Sequence, residues 1–386
     1  MKDEFGKYYE AKEPGRRERA YAWATAIGLQ DVDGLKPSKY LIKTAKRNIE
    51  GEITAAEARK LVDEYYETKI DHDVPADAEE ADKVAARIVS IVNSPGFRLS
   101  PEYYIGLHRQ IFDGVFPHAG EVRNVELTKK EWVLNGDTVE YELSCMIEKS
   151  LAYDFEQERK FRYKGLSDEA FVEHFAAFIS GLWQIHPFRE GNTRTAALFA
   201  IKYLKSMRYE VTNDLFAEKS WYFRNALVRA NYSNRQLDVE KTSLPLEEFF
   251  KVLVFQEEIE LKNRYLRIGA DYGSSVAKAT TGLHRKNVGI NVGKNVGIKR
   301  SDVVINVVKD VVKESPMSEA EEMTAKALLR CPKTTAAALA TLLKVTPRQA
   351  QRVIASLKVK AGLKRRGGRK NGEWYFEKEE ERCARS

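Results

Sequence analysis

Cysteine is scarce in this chain, with three among 386 residues, at positions 145, 331 and 383. That is too few and too scattered for a disulfide framework, and no pair has the Cys-x-x-Cys spacing of a zinc site. Long apolar runs are also missing. Stretches such as Ala176-Ala177-Phe178-Ile179 break within a few positions, far short of the about 18 residues a membrane span needs. The opening MKDEFGKYYEAKEPGRRERA holds no apolar core, so no secretory signal is expected. Together these absences predict a reduced, cytoplasmic protein with no membrane partner. Charge of one sign is only mildly in excess: 64 Lys and Arg against 57 Asp and Glu give +7. What the chain does have is ordinary globular composition, 43% hydrophobic and 31% charged. At roughly 150 residues per domain, its length suggests two or three domains.

Most of the first 260 residues follow the i, i+3, i+4 apolar rhythm of helices. Thr54 with Glu57 three residues on makes a capping box ahead of a helix that runs through Leu61, Val62 and Tyr65-Tyr66 and ends by Pro75. A helix from Ala81 to Val92 stops at the turn Asn93-Ser94-Pro95-Gly96. Further helices are expected over 101–113, 139–154, 167–185, 193–207, 217–231 and 246–264. Residues 121–141 break the rhythm. Trp132-Val133-Leu134, Asn135-Gly136 and Thr138-Val139-Glu140-Tyr141 predict a β-hairpin, because both central residues of a type I′ turn need positive φ.

Beyond residue 267 the texture changes. An Asn-Val-Gly unit repeats between Asn287 and Ile298, and 268–319 reads as a low-complexity linker. Gly289 to Lys294 imitates a phosphate-binding loop, but it is one residue short of GxxxxGK[ST], and Asn295 stands where Ser or Thr would hold Mg²⁺. From about 320 helical patterns return: Glu321 to Leu329, Thr334 to Leu343, and Pro347 to Lys358 behind a Thr346 cap. Two short strands follow, around a basic Gly-rich tip. This order resembles a winged helix-turn-helix. Ten Lys or Arg and no acid lie between Lys344 and Lys370, interleaved with Val353, Ile354, Leu357, Leu363 and, further on, Trp374 and Phe376. Arg348, Arg352, Arg365, Arg366 and Arg369 are therefore candidates for DNA phosphate contact, with protein binding as the alternative use of such a module.

The chemistry is concentrated in Ile185-His186-Pro187-Phe188-Arg189-Glu190-Gly191-Asn192-Thr193-Arg194-Thr195, a loop that feeds a helix N-terminus. Backbone N–H groups and the positive end of a helix dipole there suit an anion such as phosphate. Gly191 lets backbone approach closely, and Asn192 can cap the helix or cradle the anion. Arg194 can fork onto phosphate oxygens. Glu190 is a hard oxygen ligand suited to a Mg²⁺ that keeps much of its water. His186 is the only side chain nearby able to take a proton at neutral pH. These are the parts for attack of a hydroxyl on a nucleotide phosphate. His72, His108, His174 and His284 lack such neighbours and are read as structural. Phe175, Phe178 and Trp183, at helical spacing, are read as core.

HPFREGNTR resembles the Fic motif HxFx(D/E)GNGRxxR, and Tyr104 to Arg109 with Gly120-Glu121-Val122-Arg123 is similar to the family's lead-in to its hairpin flap. The resemblance implies a mainly α fold: a helical core at 96–267 with a β-hairpin flap, an N-terminal helical region at 1–95, the linker at 268–319 and the winged helix at 320–386. It implies transfer of AMP from ATP to a Ser, Thr or Tyr hydroxyl of a target protein, or of the chain itself. His186 would be the base and Glu190 would hold Mg²⁺. Gly191, Asn192 and Thr193 would form the anion hole, Arg194 would meet the outer phosphates, and Phe188 would anchor the loop. The 121–141 hairpin would clamp a target segment by strand addition.

Two positions depart from the motif. Thr193 replaces a Gly, and Ala197 stands where a second Arg is expected. Inhibited relatives carry (S/T)xxxE(G/N), whose nearest match is Lys46 to Gly51, with Glu50 as the candidate inhibitor. The competing reading of Glu50 is a helix-end residue before a C′ glycine. Tyr222, Phe223, Arg224 and Asn225 lie on the helix after the motif, facing either nucleotide or core. Two other functions stay open: a nucleotide-sensing transcriptional regulator without transferase activity, and a kinase or other phosphate-moiety transferase. Self-association into a homodimer is a further expectation.

Overall fold

Helix after helix begins where a Ser, Thr or Pro can start one. The computed structural model describes residues 4–68, 76–211, 214–269, 317–367 and 372–376. Its first helices are α1 (Gly6–Tyr9), α2 (Pro14–Gly28), α3 (Lys39–Glu50), α4 (Ala55–Glu67), α5 (Ala76–Val92) and α6 (Pro101–Phe112). Next come α7 (Ile147–Lys160), α8 (Asp168–Ile185), α9 (Asn192–Ser206), α10 (Asp214–Ala230) and α11 (Leu244–Phe255). Ser38, Ser100 and Ser167 cap α3, α6 and α8, and Thr54 with Glu57 closes the expected capping box on α4.

The chain divides into two compact units. The first comprises Met1–Arg123, Lys129–Val139 and Glu148–Tyr272; the second comprises Asn124–Thr128, Glu140–Ile147 and Gly273–Ser386. Residues to either side of position 95 fall in the same unit. In that unit α9 is the hub, buried along Asn192–Leu204 and packed by α5, α6 and α8. Helix α2 lies against α5 and α10. Gly28 makes the second approach possible, since a Cβ there would stand 2.3 Å from Ala217 Cα.

In the second unit α12 (Glu319–Arg330), α13 (Ala336–Leu342) and α14 (Pro347–Lys360) precede β1 (Leu363–Arg366) and β2 (Glu373–Phe376). The strands pair antiparallel, Leu363 opposite Phe376 and Arg366 opposite Glu373. Leu328, Leu339, Ile354, Leu357, Leu363 and Trp374 form its core, joined by Leu143. Among the described residues no helix is long and apolar enough to cross a membrane.

Three expectations need correction. No strand forms over 121–141. The turn is there, with Asn135 at φ 54° and Gly136 at φ 91°, but Trp132–Leu134 is a 3-10 turn. Cross-chain backbone bonding is confined to the turn, where Glu131 N–H donates to Asp137 O at 2.9 Å and Gly136 N–H to Glu131 O at 3.0 Å; beyond it Lys129 N–H donates to Thr138 Oγ1 at 3.2 Å instead of a facing carbonyl, and no ladder forms. Strand addition therefore has no preformed edge at this segment. The helices expected at 139–154 and 246–264 form instead as α7 and α11. Ser144 N–H and Oγ are held by Glu126, which delays α7, and Gln256, at φ 56°, ends α11. Cys145 and Cys331 pair as one disulfide, with Cα atoms 6.3 Å apart across a sequence separation of 186, so the reduced reading does not hold for these two. Most of the 268–319 linker, including the Asn-Val-Gly repeat and the loop imitation at 289–294, lies outside the described residues, as do His72, His284 and Arg369.

Candidate active site

Helix α8 ends on His186, whose φ of 48° turns the chain away from the helix. Trp183 O accepts the His186 backbone N–H at 3.1 Å and faces its Nδ1 at 3.2 Å. A carbonyl can only accept, so Nδ1 carries the hydrogen and Nε2 keeps the lone pair. The ring is 2% exposed. Burial, then the charges of Lys129 and Arg123, hold its pKa well below the usual 6.5. The imidazole is neutral, with its proton-accepting nitrogen chosen in advance.

Arg123 fixes this loop from outside. Its Nε donates to His186 O at 2.7 Å, its Nη2 reaches Ile185 O at 3.5 Å, and its backbone N–H donates to Pro187 O at 2.8 Å. Phe188 is fully buried and stacks on His108 with centroids 3.7 Å apart. Gly120 N–H donates to His108 Nδ1 at 2.8 Å, so Nε2–H of the same ring donates to Glu190 O at 3.1 Å. Burial lowers the His108 pKa to about 3. It supports the loop, consistent with its structural reading.

Gly191 (φ 73°) opens α9, and a Cβ there would lie 2.3 Å from Phe112 Cε2. The position therefore requires glycine both for conformation and for space. Having no side chain, Gly191 leaves the first-turn N–H groups of α9 without a side-chain cap. Asn192 does not cap them either. Its Oδ1 accepts from Phe188 N at 3.0 Å and its Nδ2 donates to Phe188 O at 2.8 Å, closing the loop on itself. Thr193 is already helical, and its Oγ1 accepts the Trp183 indole N–H at 3.0 Å. The hydroxyl that replaces glycine thus ties α9 back to α8. Glu190 and Arg189 are exposed.

Arg194 is 1% exposed and enclosed by acceptors from the N-terminal helices. It meets Asp33 at 2.9 Å, Glu80 at 2.7 Å and Gln30 Oε1 at 3.0 Å, with Phe112 beneath at 4.7 Å. Arg224 on α10 donates to Glu131 at 2.9 Å and lies 3.8 Å from Asp33. Lys129 senses Asp33, Glu131 and Glu190, while burial and Arg224 lower its pKa. Glu50 sits elsewhere: its carboxylate accepts from Tyr8 at 2.5 Å and lies 3.8 Å from Lys7, ahead of the left-handed Gly51 that ends α3. Sequence reasoning missed Gln30, Asp33, Glu80, Lys129 and Glu131 altogether. It passed over Arg123 as lead-in and left Arg224 undecided. Only Arg123, the last residue of the quoted Gly120-Glu121-Val122-Arg123, carried a usable signal.

Residues 98–204 match the model of the Fic/DOC family. The Probable protein adenylyltransferase y4lH of Sinorhizobium fredii is 30% identical over 33% of this chain and 63% of its own length. A Protein adenylyltransferase of Bartonella henselae is 25% identical over 46% of this chain and 33% of its own length. The matched stretches thus span less than two thirds of either relative. The N-terminal Fic domain of an effector protein from Bartonella sp. AR 15-3 overlays at a TM-score of 0.38 with 20% identity, over 48% of this chain and 86% of that one, too low a score to argue from. By the family match and these two relatives, residues 98–204 form a Fic/DOC family domain, and the loop from His186 to Arg194 lies within it.

Proposed function

We propose that this chain is a protein adenylyltransferase that moves AMP from ATP onto a Ser, Thr or Tyr hydroxyl of a target protein or of itself. The observation that carries the reading is the neutral, buried His186, held as its Nδ1–H tautomer at the junction of α8 and α9. Its Nε2 takes the proton of the incoming hydroxyl. That oxygen attacks the α-phosphorus, the bond to the β-phosphate oxygen breaks, and pyrophosphate leaves. The N-terminal N–H groups of α9 and the dipole behind them lie where phosphate charge gathers. The names of the two relatives point the same way.

Mg²⁺ suits the donor set. Glu190 offers one exposed carboxylate, and among the described residues no group of three or more His, Cys, Asp or Glu could hold a metal. A Mg²⁺ that takes its other ligands from water and phosphate needs no more than that. Bound there by Glu190, it would neutralise phosphate charge.

Intact-mass spectrometry after incubation with ATP and Mg²⁺, beside His186→Ala, tests the reading. The expected result is an added AMP on the wild type that is absent from the variant. An added phosphate would favour the kinase reading instead.

A second activity has its own support. Arg348 and Arg352 are exposed on α14, and Arg365 and Arg366 on β1, around the core of the second unit. We infer a winged-helix use of this unit, with α14 offered to a DNA major groove and the strands contributing phosphate contacts. Double substitution Arg348→Ala with Arg352→Ala should weaken full-chain DNA binding and flatten its salt dependence by about two counterions. Salt-independent binding, or none, would remove this reading.

A further inference from the structure

The bridge between Cys145 and Cys331 has unequal ends. Cys331, on which α12 ends, is 4% exposed, whereas Cys145 is open to solvent. Thiol–disulfide exchange depends on access to the sulfur under attack, and an exposed bridge belongs to the labile rather than the permanent kind.

Little besides this bond holds the segment that carries Cys145. Leu143 enters the core of the second unit and Met146 packs half-buried against it; every other member of that core comes from residue 317 onward. The helices and strands after 317 thus have a core without the segment. Glu126 accepts the Ser144 N–H at 3.0 Å and its hydroxyl at 2.7 Å, which ties Asn124–Thr128 to Glu140–Ile147 and neither of them to the helices. Against two apolar side chains, a covalent link across a sequence separation of 186 is the stronger restraint.

What the bond restrains bears on the site. Asn124–Thr128 and Glu140–Ile147 are the stems of Lys129–Val139, which belongs to the first unit. Arg123, which holds the motif loop at His186 O and Pro187 O, stands one residue before the first stem. Lys129, whose charge reaches His186, stands one residue after it. Between the stems, Glu131 is fastened to Arg224 and Asp137 to Tyr232. By chain connectivity alone, freedom in the stems becomes freedom at Arg123 and Lys129.

We propose that Cys145–Cys331 is a reversible redox site, opened by low-molecular-weight thiols at Cys145, whose state sets how firmly the two stems, and with them Arg123 and Lys129, are held. A thiolate RS⁻ attacks Cys145 Sγ, the bond to Cys331 Sγ breaks, and Cys331 leaves with the electron pair and takes up a proton. A second thiolate attacks the sulfur of the adduct's R group, RSSR departs, and Cys145 takes up a proton. Two thiols are oxidised to one disulfide, the protein gains two electrons, and the two protons shed by the thiols end on the two cysteines. RSSR reverses both steps. The device operates whichever group the site transfers.

The test uses the full chain with Cys383→Ser, so that one pair is available, in glutathione buffers of rising reduced-to-oxidised ratio. Alkylation with mass mapping follows the thiols, and amide hydrogen exchange follows the backbone. The bridge should open and close reversibly within the series, with any glutathione adduct on Cys145. On opening, exchange over 124–128 and 140–147 should quicken about tenfold or more, while α12–α14 keep their rates. Cys145→Ser should exchange fast in every buffer, and Cys331→Ala provides a second way of removing the bridge. A pair that stays closed or stays open across the whole series overturns the proposal. So does an adduct on Cys331 instead of Cys145, or opening that leaves exchange over both stems unchanged.

Discussion

At the scale of single residues, two histidines, one opening the motif loop and one packed against it, are fixed in opposite tautomers. His186 faces a carbonyl with Nδ1, so Nε2 keeps the lone pair; His108 receives an N–H at Nδ1, so Nε2 is the donor. Both are buried and neutral, but only His186 has its lone pair on the nitrogen away from the supporting backbone. Its depressed pKa moves the acid limb of kcat/KM for ATP below the usual 6.5. Bound phosphates counter Lys129 and Arg123, so the limb of kcat lies at higher pH than that of kcat/KM. Coincident limbs at or above 6.5 would contradict this.

His108 has a consequence for stability. Its folded pKa, about 3, lies below the unfolded value of 6.5. Its contribution is complete above the unfolded value and is lost as pH falls, at about 1.4 kcal/mol per pH unit over that window. His108→Gln cannot take up the proton, so its unfolding free energy, followed by urea denaturation, should fall less steeply between pH 6 and pH 4. A slope equal to that of the wild type would show that His108 titrates normally.

At the scale of elements, the departure of Thr193 from glycine has a physical account. The residue falls inside α9, where a Cβ is welcome, and its hydroxyl accepts the Trp183 indole N–H. Thr193→Gly should cost about 1–2 kcal/mol through the lost bond and the looser helix start, while Thr193→Ser keeps most of it. Equal stability of all three in urea would show that the bond contributes nothing. Arg123 acts similarly on the other side of the loop. Arg123→Met keeps the buried stem but withdraws the donor from His186 O, and kcat should fall about tenfold or more with KM little changed. An unchanged kcat would mean that the loop holds its shape without it.

Elements were legible in the sequence wherever a local signal governed them. Thr54 and Thr346 start helices where their side chains predict, and the Asn135-Gly136 turn forms as its residues require. The absence of strands beside that turn was not legible, because it is decided across the turn: Lys129 N–H goes to the Thr138 hydroxyl, nine residues away, rather than to a facing carbonyl. The site divides in the same way. His186, Phe188, Glu190 and Gly191 announce themselves in nine consecutive residues. Asp33 and Glu80 reach Arg194 from more than 100 residues away, and nothing about an acid in a helical region marks it for that role.

At the scale of the whole molecule, Cys145 and Cys331 illustrate the same limit, since a pair 186 residues apart leaves no trace in spacing. With three cysteines in the sequence and one pair formed, thiol titration of the denatured, unreduced protein should give one thiol per chain, and three after reduction. Three before reduction would show the pair open. The cross-link joins Glu140–Ile147 to the helices that follow residue 317, both within the second unit.

The central claim is that His186 directs a hydroxyl to the α-phosphorus of ATP. Incubating the chain in parallel with ATP labelled at the α- or the γ-phosphate, for wild type and His186→Ala, tests it most directly. The account predicts label on wild-type protein from the α position alone, with pyrophosphate released, and none on the variant. Label carried from the γ position, or α-label on His186→Ala equal to that on the wild type, would contradict it.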